Sequence, residues 1–232
     1  MPSILITGSN RGLGLEWVRQ YAILGWKVHA TCRHPDQAKE LRQLSHENPN
    51  IVIHRMDITH PDEITAVTET LRGSSIDILI NNAGVYLEKF KQSNLGQVDY
   101  SEWEETFRVN TLGSVRVIES LIDNLTRSEK RLVVATTSHM GSITEISSPD
   151  SYAYRSSKAA LNAAMRGIAL ELETRNIGVL LLHPGWVKTR MGGPGAFIST
   201  TQSVRGMRAI IDNFKLNQTG TFYRYDGSVI PW

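Results

Sequence analysis

The stretch SILITGSNRGLGLEWVRQYAI, Ser3 to Ile23, changes its hydrophobic period in mid-course. Its opening residues are apolar at successive positions, the pattern of a strand whose two faces are both covered by helices. Its closing residues place Leu15, Val18 and Ile23 along one side of a helix. Between the two, Thr7, Gly8, Gly12 and Gly14 form a turn that runs from strand into helix without a linker. Glycines there let the backbone reverse sharply and let an anion approach the amide groups of a helix N-terminus, where the peptide dipoles favour negative charge. The spacing differs from G-x-G-x-x-G, and a glycine turn alone is modest evidence. Its place after a first strand and before an amphipathic helix is what gives it weight.

Working outward, short runs rich in Ile, Val and Leu recur at KVHATC, IVIHRM, IDILIN, RLVVATT and IGVLLLH. Segments of helical spacing fill the intervals at 13–24, 36–45, 62–72, 100–126 and 152–175. Asp62 follows Pro61 in an acidic first turn, and Gly25 and Gly73 stand where helices stop. Strand and helix alternate. That order predicts an α/β fold of Rossmann type, a doubly wound parallel sheet in a single domain over 1–232, with ligands bound beyond the carboxyl ends of the strands. The least regular stretches, near 89–99, 139–151 and 190–200, are the expected substrate loops.

Composition narrows the function. A formal net charge of +2, with no clustered Lys and Arg, argues against a nucleic-acid partner. No apolar run approaches the roughly 18 residues of a membrane span, and there is no basic leader. Cys32 is the sole cysteine, so no intrachain disulfide can form. The seven histidines show no paired ligand spacing, so no metal is expected. A cytoplasmic protein is the reading that follows.

The second strand ends HATCRHP. In a dinucleotide fold its end meets the adenosine ribose, where an acidic residue would bond the 2′-hydroxyl of NAD. Cys32 and Arg33 stand there instead, and Arg11 lies inside the glycine turn. Two guanidinium groups suit a 2′-phosphate, so NADP(H) is the expected cofactor.

In SYAYRSSKAALNAAM, Tyr154 and Lys158 are four apart at the start of a helical run and project from one face. An ammonium near a phenol favours phenolate and would bring its pKa down by roughly 1 to 3 units, making Tyr154 a proton donor and acceptor. The pair alone is a weak motif; its context strengthens it. Ser138 lies just beyond a strand in VVATTSHMG, Asn81, Asn82 and Gly84 follow another in INNAG, and Asn110 sits within a helix-like segment, where an amide is mildly unfavourable without other work.

With these residues assembled, the chain resembles the short-chain dehydrogenase/reductase family. TGSNRGLG, MDIT, NNAG, VNTLG, the serine of TTSHMG, YRSSK and HPGWVKT occur in family order over nearly the whole length. HPGWVKTRMGGPGA and the ending YDGSVIPW are more like the subgroup of C-factor and sniffer-type carbonyl reductases. The resemblance implies reduction of an aldehyde, ketone or quinone, with a small-molecule carbonyl or alcohol as partner and a homodimer or homotetramer, dimerising through the helices from Tyr100 and Tyr152. It implies Tyr154 as acid/base, Ser138 as polariser of the substrate oxygen, Lys158 as ribose ligand and depressor of the tyrosine pKa, and Asn110 as holder of a relay water. Gly8, Gly12 and Gly14 would line the pyrophosphate, Asp57 would reach the adenine and Asn81 would steady the central strand, with Asn10, Arg11, Leu13, Arg33, Ile58, Ala83 and Gly84 also among the cofactor-binding residues. Pro184, Gly185, Val187 and Thr189 would hold the nicotinamide. A non-catalytic nucleotide-binding regulator on the same fold is the alternative.

Fifteen residues separate Ser138 from Tyr154, an enlarged loop for this pattern. A slip of register would make Thr137 or Ser142 the hydroxyl instead. Tyr152 has Ser156, not lysine, at i+4 and is assigned to a wall or to solvent. His183 is expected to pack at a strand end. Trp186, Met191 and Phe197 face either substrate or core, and RMGGPGAF has the composition of a lid.

Overall fold

In the computed structural model, which describes residues 1–89 and 94–232, seven parallel strands form one sheet in the order β3-β2-β1-β4-β5-β6-β7. The strands are β1 Ser3–Ile6, β2 Lys27–Cys32, β3 Ile51–Arg55, β4 Ile78–Asn81, β5 Leu132–Thr136, β6 Gly178–His183 and β7 Thr221–Arg224. The helices are α1 Gly12–Ile23, α2 Lys39–Glu47, α3 Pro61–Thr70, α4 Tyr100–Phe107, α5 Ser114–Thr126, α6 Tyr152–Glu173 and α7 Thr200–Asp212. Unbroken apolar runs are needed because both faces of the sheet are covered. β1, β4 and β6 are buried at every residue. Ile4, Ile6, Ile78, Ile80 and Val134 face α1 and α7, while Leu5, Leu79, Val133 and Leu181 face α3, α5 and α6.

The chain begins in the middle of the sheet, winds outward through β2 and β3, and returns to place β4 beside β1. That reversal opens a crevice at the carboxyl ends of β1 and β4. Thr7 closes its floor: its Oγ1 accepts the backbone N–H groups of Asn82 and Ala83, each at 3.0 Å.

The expected elements are present with three departures. The helix predicted over 100–126 is interrupted by a π-helical segment, Arg108–Gly113, that separates α4 from α5. Asn110 turns inward within it, and Gly113 backs onto Ile58, whose Cγ1 would lie 2.8 Å from an added Cβ. Residues expected to open the second helix form a short 3-10 turn, Pro35–Gln37, before α2 begins. α7 and β7 were not anticipated. The apolar stripe of α7 is thin, Val204, Met207 and Ile211, and β7 is a short edge strand with one fully buried aromatic, Phe222. A signal for α7 was present: Ser199 caps Gln202 N at 3.1 Å, the S-x-x-Q spacing that opens a helix.

Candidate active site

The glycine turn is held to β4 from both sides. Asn82 Nδ2 donates to the carbonyls of Thr7 at 2.9 Å and Gly8 at 3.2 Å, and Ser9 N donates to Thr31 O at 2.9 Å, tying the turn to the end of β2. Gly8 adopts φ +68, a left-handed conformation suited to glycine, and an added Cβ would meet Ala83 Cα at 2.9 Å. At Gly14 an added Cβ would stand 2.1 Å from Gly8 O. α1 starts from Arg11 with no side-chain cap and no acidic residue in its first turn, so its leading N–H groups and dipole face the crevice without a protein anion. These features fit a pyrophosphate. Asn10 is exposed on the turn, and Leu13 packs against the core beneath it.

The side chains of Arg11 and Arg33 are exposed and, among the described residues, make no hydrogen bond or ion pair. Arg33 acts at longer range on Asp57. Burial pushes the Asp57 carboxyl up, but bonds from Thr59 N at 2.9 Å and Thr59 Oγ1 at 2.7 Å, with the fields of Arg33 and His60, hold it below its ordinary value. Ile58 is buried in the core beside it.

At the end of β4, Asn81 Nδ2 donates to Ser114 O at 3.0 Å, while its buried Oδ1 has no hydrogen-bond partner among the described residues. Asn110 grips the next residues: its Oδ1 accepts Val85 N at 2.8 Å, and its Nδ2 donates to Val85 O at 2.9 Å and Ser157 Oγ at 3.0 Å. Its side-chain amide is thus committed to holding the 83–85 segment against α6. An added Cβ on Gly84 would lie 3.6 Å from Lys158 Nζ, which places that segment directly over the lysine.

The first turns of α6 carry Tyr154 and Lys158, both buried. Lys158 Nζ donates to Thr136 O at 3.0 Å and lies 5.9 Å from the centre of the Tyr154 ring. The Ser138 side chain stands beside the Tyr154 phenol and favours its ionised form, and Ser138 Oγ accepts Met140 N at 3.2 Å. Of the three candidate hydroxyls, Ser138 is the one that acts on the Tyr154 phenol. Thr137 donates instead to Asn162 Oδ1 at 2.6 Å, and Ser142 caps Glu145 N at 3.3 Å. Tyr152 packs beside Trp103, 6.5 Å between ring centres, away from Ser138.

The expectation that the ammonium brings the phenol down is corrected. Burial pushes Tyr154 up to about 12, outweighing the hydrogen bond from Ser138, and the neighbouring Tyr86 raises it further. Burial likewise lowers Lys158 to about 8. Spacing brought the pair together, but removal from water governs both groups.

After β6, Pro184 O accepts Ser203 Oγ at 2.6 Å, Gly185 takes φ +82, Val187 is buried, and Thr189 Cγ2 comes within 3.4 Å of the Cβ position on Gly12. This loop therefore closes onto the glycine turn. His183 is buried at the strand end, as expected, with burial the main cause of its depression to about 3. Trp186 and Phe197 are exposed and meet edge to face at 6.0 Å, and Met191 is also exposed, so none of the three belongs to the core. The 190–200 stretch is pinned at both ends, with Lys188 N donating to Ile198 O at 2.8 Å and Ile198 N to Trp186 O at 3.2 Å. The expected 89–99 loop falls partly on 90–93, which lie outside the described residues.

A groove of about 400 Å³ lined by Trp103, Met140, Ile143, Ile146 and Tyr152 opens on a neighbouring face of α6. It includes none of Ser138, Tyr154 and Lys158 and is not where these groups converge. Sequence reasoning named Thr7 without giving it a role and set Asn82 close against the cofactor; it missed Tyr86, Glu88 and Ser157, whose contacts tie α6 to partners distant in sequence. Among the described residues no helix is long and apolar enough to cross a membrane, and no group of three or more His, Cys, Asp or Glu could hold a metal ion.

Comparison with known proteins agrees with this geometry. The family model described as short chain dehydrogenase matches residues 2–195. C-signal of Myxococcus xanthus is 43% identical over 157 residues, covering 68% of this chain and 93% of that one. Carbonyl reductase Sniffer of D. melanogaster superposes with a TM-score of 0.92 at 32% identity, covering 100% of both chains. An NADPH-bound carbonyl reductase from chicken fatty liver gives 0.91 at 31% identity, covering 100% of this chain and 99% of that one. From the glycine turn through the loop that follows β6, the chain belongs to the short chain dehydrogenase family.

Proposed function

We propose that the protein is an NADP(H)-dependent reductase that converts the carbonyl of an aldehyde, ketone or quinone to an alcohol, with Tyr154 as proton donor. The observation that carries this reading is the burial of Tyr154 and Lys158 together on α6, with Nζ 5.9 Å from the ring centre, Ser138 beside the phenol and the glycine turn joined to them through the 83–84 segment. When bound, NADP(H) supplies the hydride. Gly8, Asn10, Gly12, Leu13 and Gly14 would hold its pyrophosphate, Arg11 and Arg33 the 2′-phosphate, Asp57 and Ile58 the adenine side, and Asn81, Ala83 and Gly84 the span across β4. Pro184, Gly185, Val187 and Thr189 would flank the nicotinamide, and Lys158 its ribose.

The chain's own residues then account for the proton. A carbonyl oxygen that enters beside Ser138 and Tyr154 can accept from both hydroxyls. The serine polarises the carbonyl and the tyrosine releases its proton as negative charge develops. With its phenol near 12, Tyr154 is fully protonated at neutral pH, the state needed for reduction. Lys158, near 8, still carries its charge there, ready to offset the phenolate that remains. Both groups lie out of water, where that interaction is strongest. Asn110 fixes the 83–85 segment above the lysine.

A second reading, a regulator without turnover, draws on the identity with C-signal. The intact set of Asn110, Ser138, Tyr154 and Lys158 favours catalysis, because nucleotide binding alone requires no proton donor. Tyr154→Phe separates the two. NADPH oxidation with carbonyl acceptors should fall at least about a hundredfold while NADPH affinity, read by fluorescence titration, is unchanged. Turnover that survives the substitution refutes the role given to Tyr154. The protein is further proposed to work in the cytoplasm as a homodimer or homotetramer joined through α4 and α6, where Tyr100 is exposed and stacks on Trp103 at 6.1 Å.

A further inference from the structure

The start of α6 is capped from outside the helix. Ser151 stands at its N-cap in the left-handed region, φ 55, and its side chain does not cap the helix. Its hydroxyl instead meets the hydroxyl of Tyr86 at 2.5 Å. Glu88 supplies a cap: its Oε1 accepts the backbone N–H of Tyr154 at 2.7 Å. The Tyr86 ring lies flat on that of Tyr154, with centres 4.1 Å apart and planes 13° from parallel. Both residues come from the segment directly after Val85, whose backbone Asn110 grips.

From this stack and these caps we infer that Tyr86 is a positioning residue for the proton donor, holding the Tyr154 ring in the plane from which its hydroxyl reaches Ser138. Asp150 and Ser151 both have positive φ, 99 and 55, conformations that cost non-glycine residues about 1 kcal/mol or more each. They persist because the Tyr86 hydroxyl holds Ser151 and Glu88 holds the first turn. The ring has a separate effect. Stacked on one face of Tyr154, it helps to leave that residue only 8% exposed. Tyr86 is not itself the acid, since its hydroxyl is bonded to Ser151 on the side of the helix start rather than to Ser138. In this arrangement the 83–88 segment couples the cofactor crevice to the proton donor.

The inference rests on the proposed reductase reading, and the experiment keeps the two apart. Tyr86→Phe retains the stack and loses the hydroxyl; Tyr86→Ala loses both. For the full-length protein, kcat with a carbonyl acceptor at saturating NADPH, the acceptor KM, the NADPH dissociation constant and the melting temperature are measured. In parallel, nitration of Tyr154 by tetranitromethane is read by peptide mass spectrometry without cofactor. Tyr86→Ala should lower kcat about tenfold to a hundredfold with acceptor KM and NADPH affinity within about twofold, because the acid is misplaced while binding groups stay intact. Tyr86→Phe should keep kcat within about threefold, and Tyr154 should be nitrated faster in Tyr86→Ala than in the parent protein. An unchanged kcat in Tyr86→Ala, a loss equal in the Phe variant, or a loss accompanied by weakened NADPH binding or by unfolding at the assay temperature overturns the inference. Should the parent protein reduce no carbonyl, the reductase reading fails by itself. The nitration rates then judge the stack, and equal rates overturn it.

Discussion

Replacing Lys158 with methionine should stabilise the cofactor-free protein while removing its activity. The ammonium is 5% exposed, and its descent from 10.5 to about 8 corresponds to roughly 3 kcal/mol of burial cost for the charged form. The sign follows from proton counting. Below pH 8 the lysine is charged in both folded and unfolded chains, so the full cost opposes folding. Between 8 and 10.5 the folded protein sheds the proton first, the unfolded chain binds more protons, and stability climbs with pH. Above 10.5 the cost is gone. Methionine has similar volume and no charge, and it forfeits the 3.0 Å bond to Thr136 O, a net loss of about 1 kcal/mol. A gain of about 2 kcal/mol at pH 7 remains, which for a chain of 232 residues is roughly 4 to 8 °C in melting temperature. Urea or thermal unfolding of both proteins at pH 7 and pH 10.5, without cofactor, gives the comparison, alongside kcat at pH 7. The variant should be the more stable at pH 7, lose that advantage at pH 10.5, and turn over at least about a hundredfold more slowly. A variant less stable at pH 7, or one whose advantage is independent of pH, would refute the argument that the charge is held at a cost for the sake of the reaction.

Three further substitutions address the proposed cofactor crevice and the helix that carries Tyr154. Arg33→Asp should move the ratio of kcat/KM for NADPH over NADH toward NADH by about tenfold to a hundredfold, the worth of one or two charge-assisted hydrogen bonds; an unchanged ratio removes Arg33 from the 2′-phosphate site. Gly14→Ala should weaken NADPH binding and lower stability by about 2 kcal/mol, because its Cβ would sit 2.1 Å from Gly8 O, a backbone atom with little room to move. Gly167→Ala, in the exposed middle of α6 with nothing within 4 Å of the new carbon, should instead stabilise by about 0.5 to 1 kcal/mol. Denaturant unfolding of the two alanine variants side by side tests both, and a Gly14→Ala protein as stable as its parent would show that the turn is looser than its contacts indicate.

The sheet was legible because its physics is local. A strand buried on both faces must be apolar at consecutive positions, and a helix lying on it must be apolar at every third or fourth, so β1 to β6 and most helices announce themselves in windows of a few residues. β7 and α7 escaped because an edge strand and a thinly covered surface helix have less to bury. The interruption of 100–126 escaped for a different reason: a π-helical turn leaves the hydrophobic period nearly intact. Only the inward Asn110 hinted that this helix gives up regular geometry to place a side chain.

The site divides along the same line. Tyr154 and Lys158 could be found from sequence because a helix guarantees that residues four apart share a face. What that spacing cannot report is the medium around them. Proximity argues for a lowered phenol, and the fold delivers a raised one, because burial dominates and Tyr86, 68 residues earlier in the chain, covers the ring; Lys158 is likewise stripped of water. The two displacements act together rather than in conflict. A phenol that stays protonated to high pH is always loaded for reduction. On the proposed mechanism, an ammonium destabilised by burial would gain most from a phenolate appearing beside it, so the burial cost carried in the resting protein would lower the barrier when the proton leaves. On that mechanism the side chains which exclude water from this pair, Tyr86 foremost, would belong to the catalytic design as much as the pair does, although they leave no mark at any fixed spacing in the sequence.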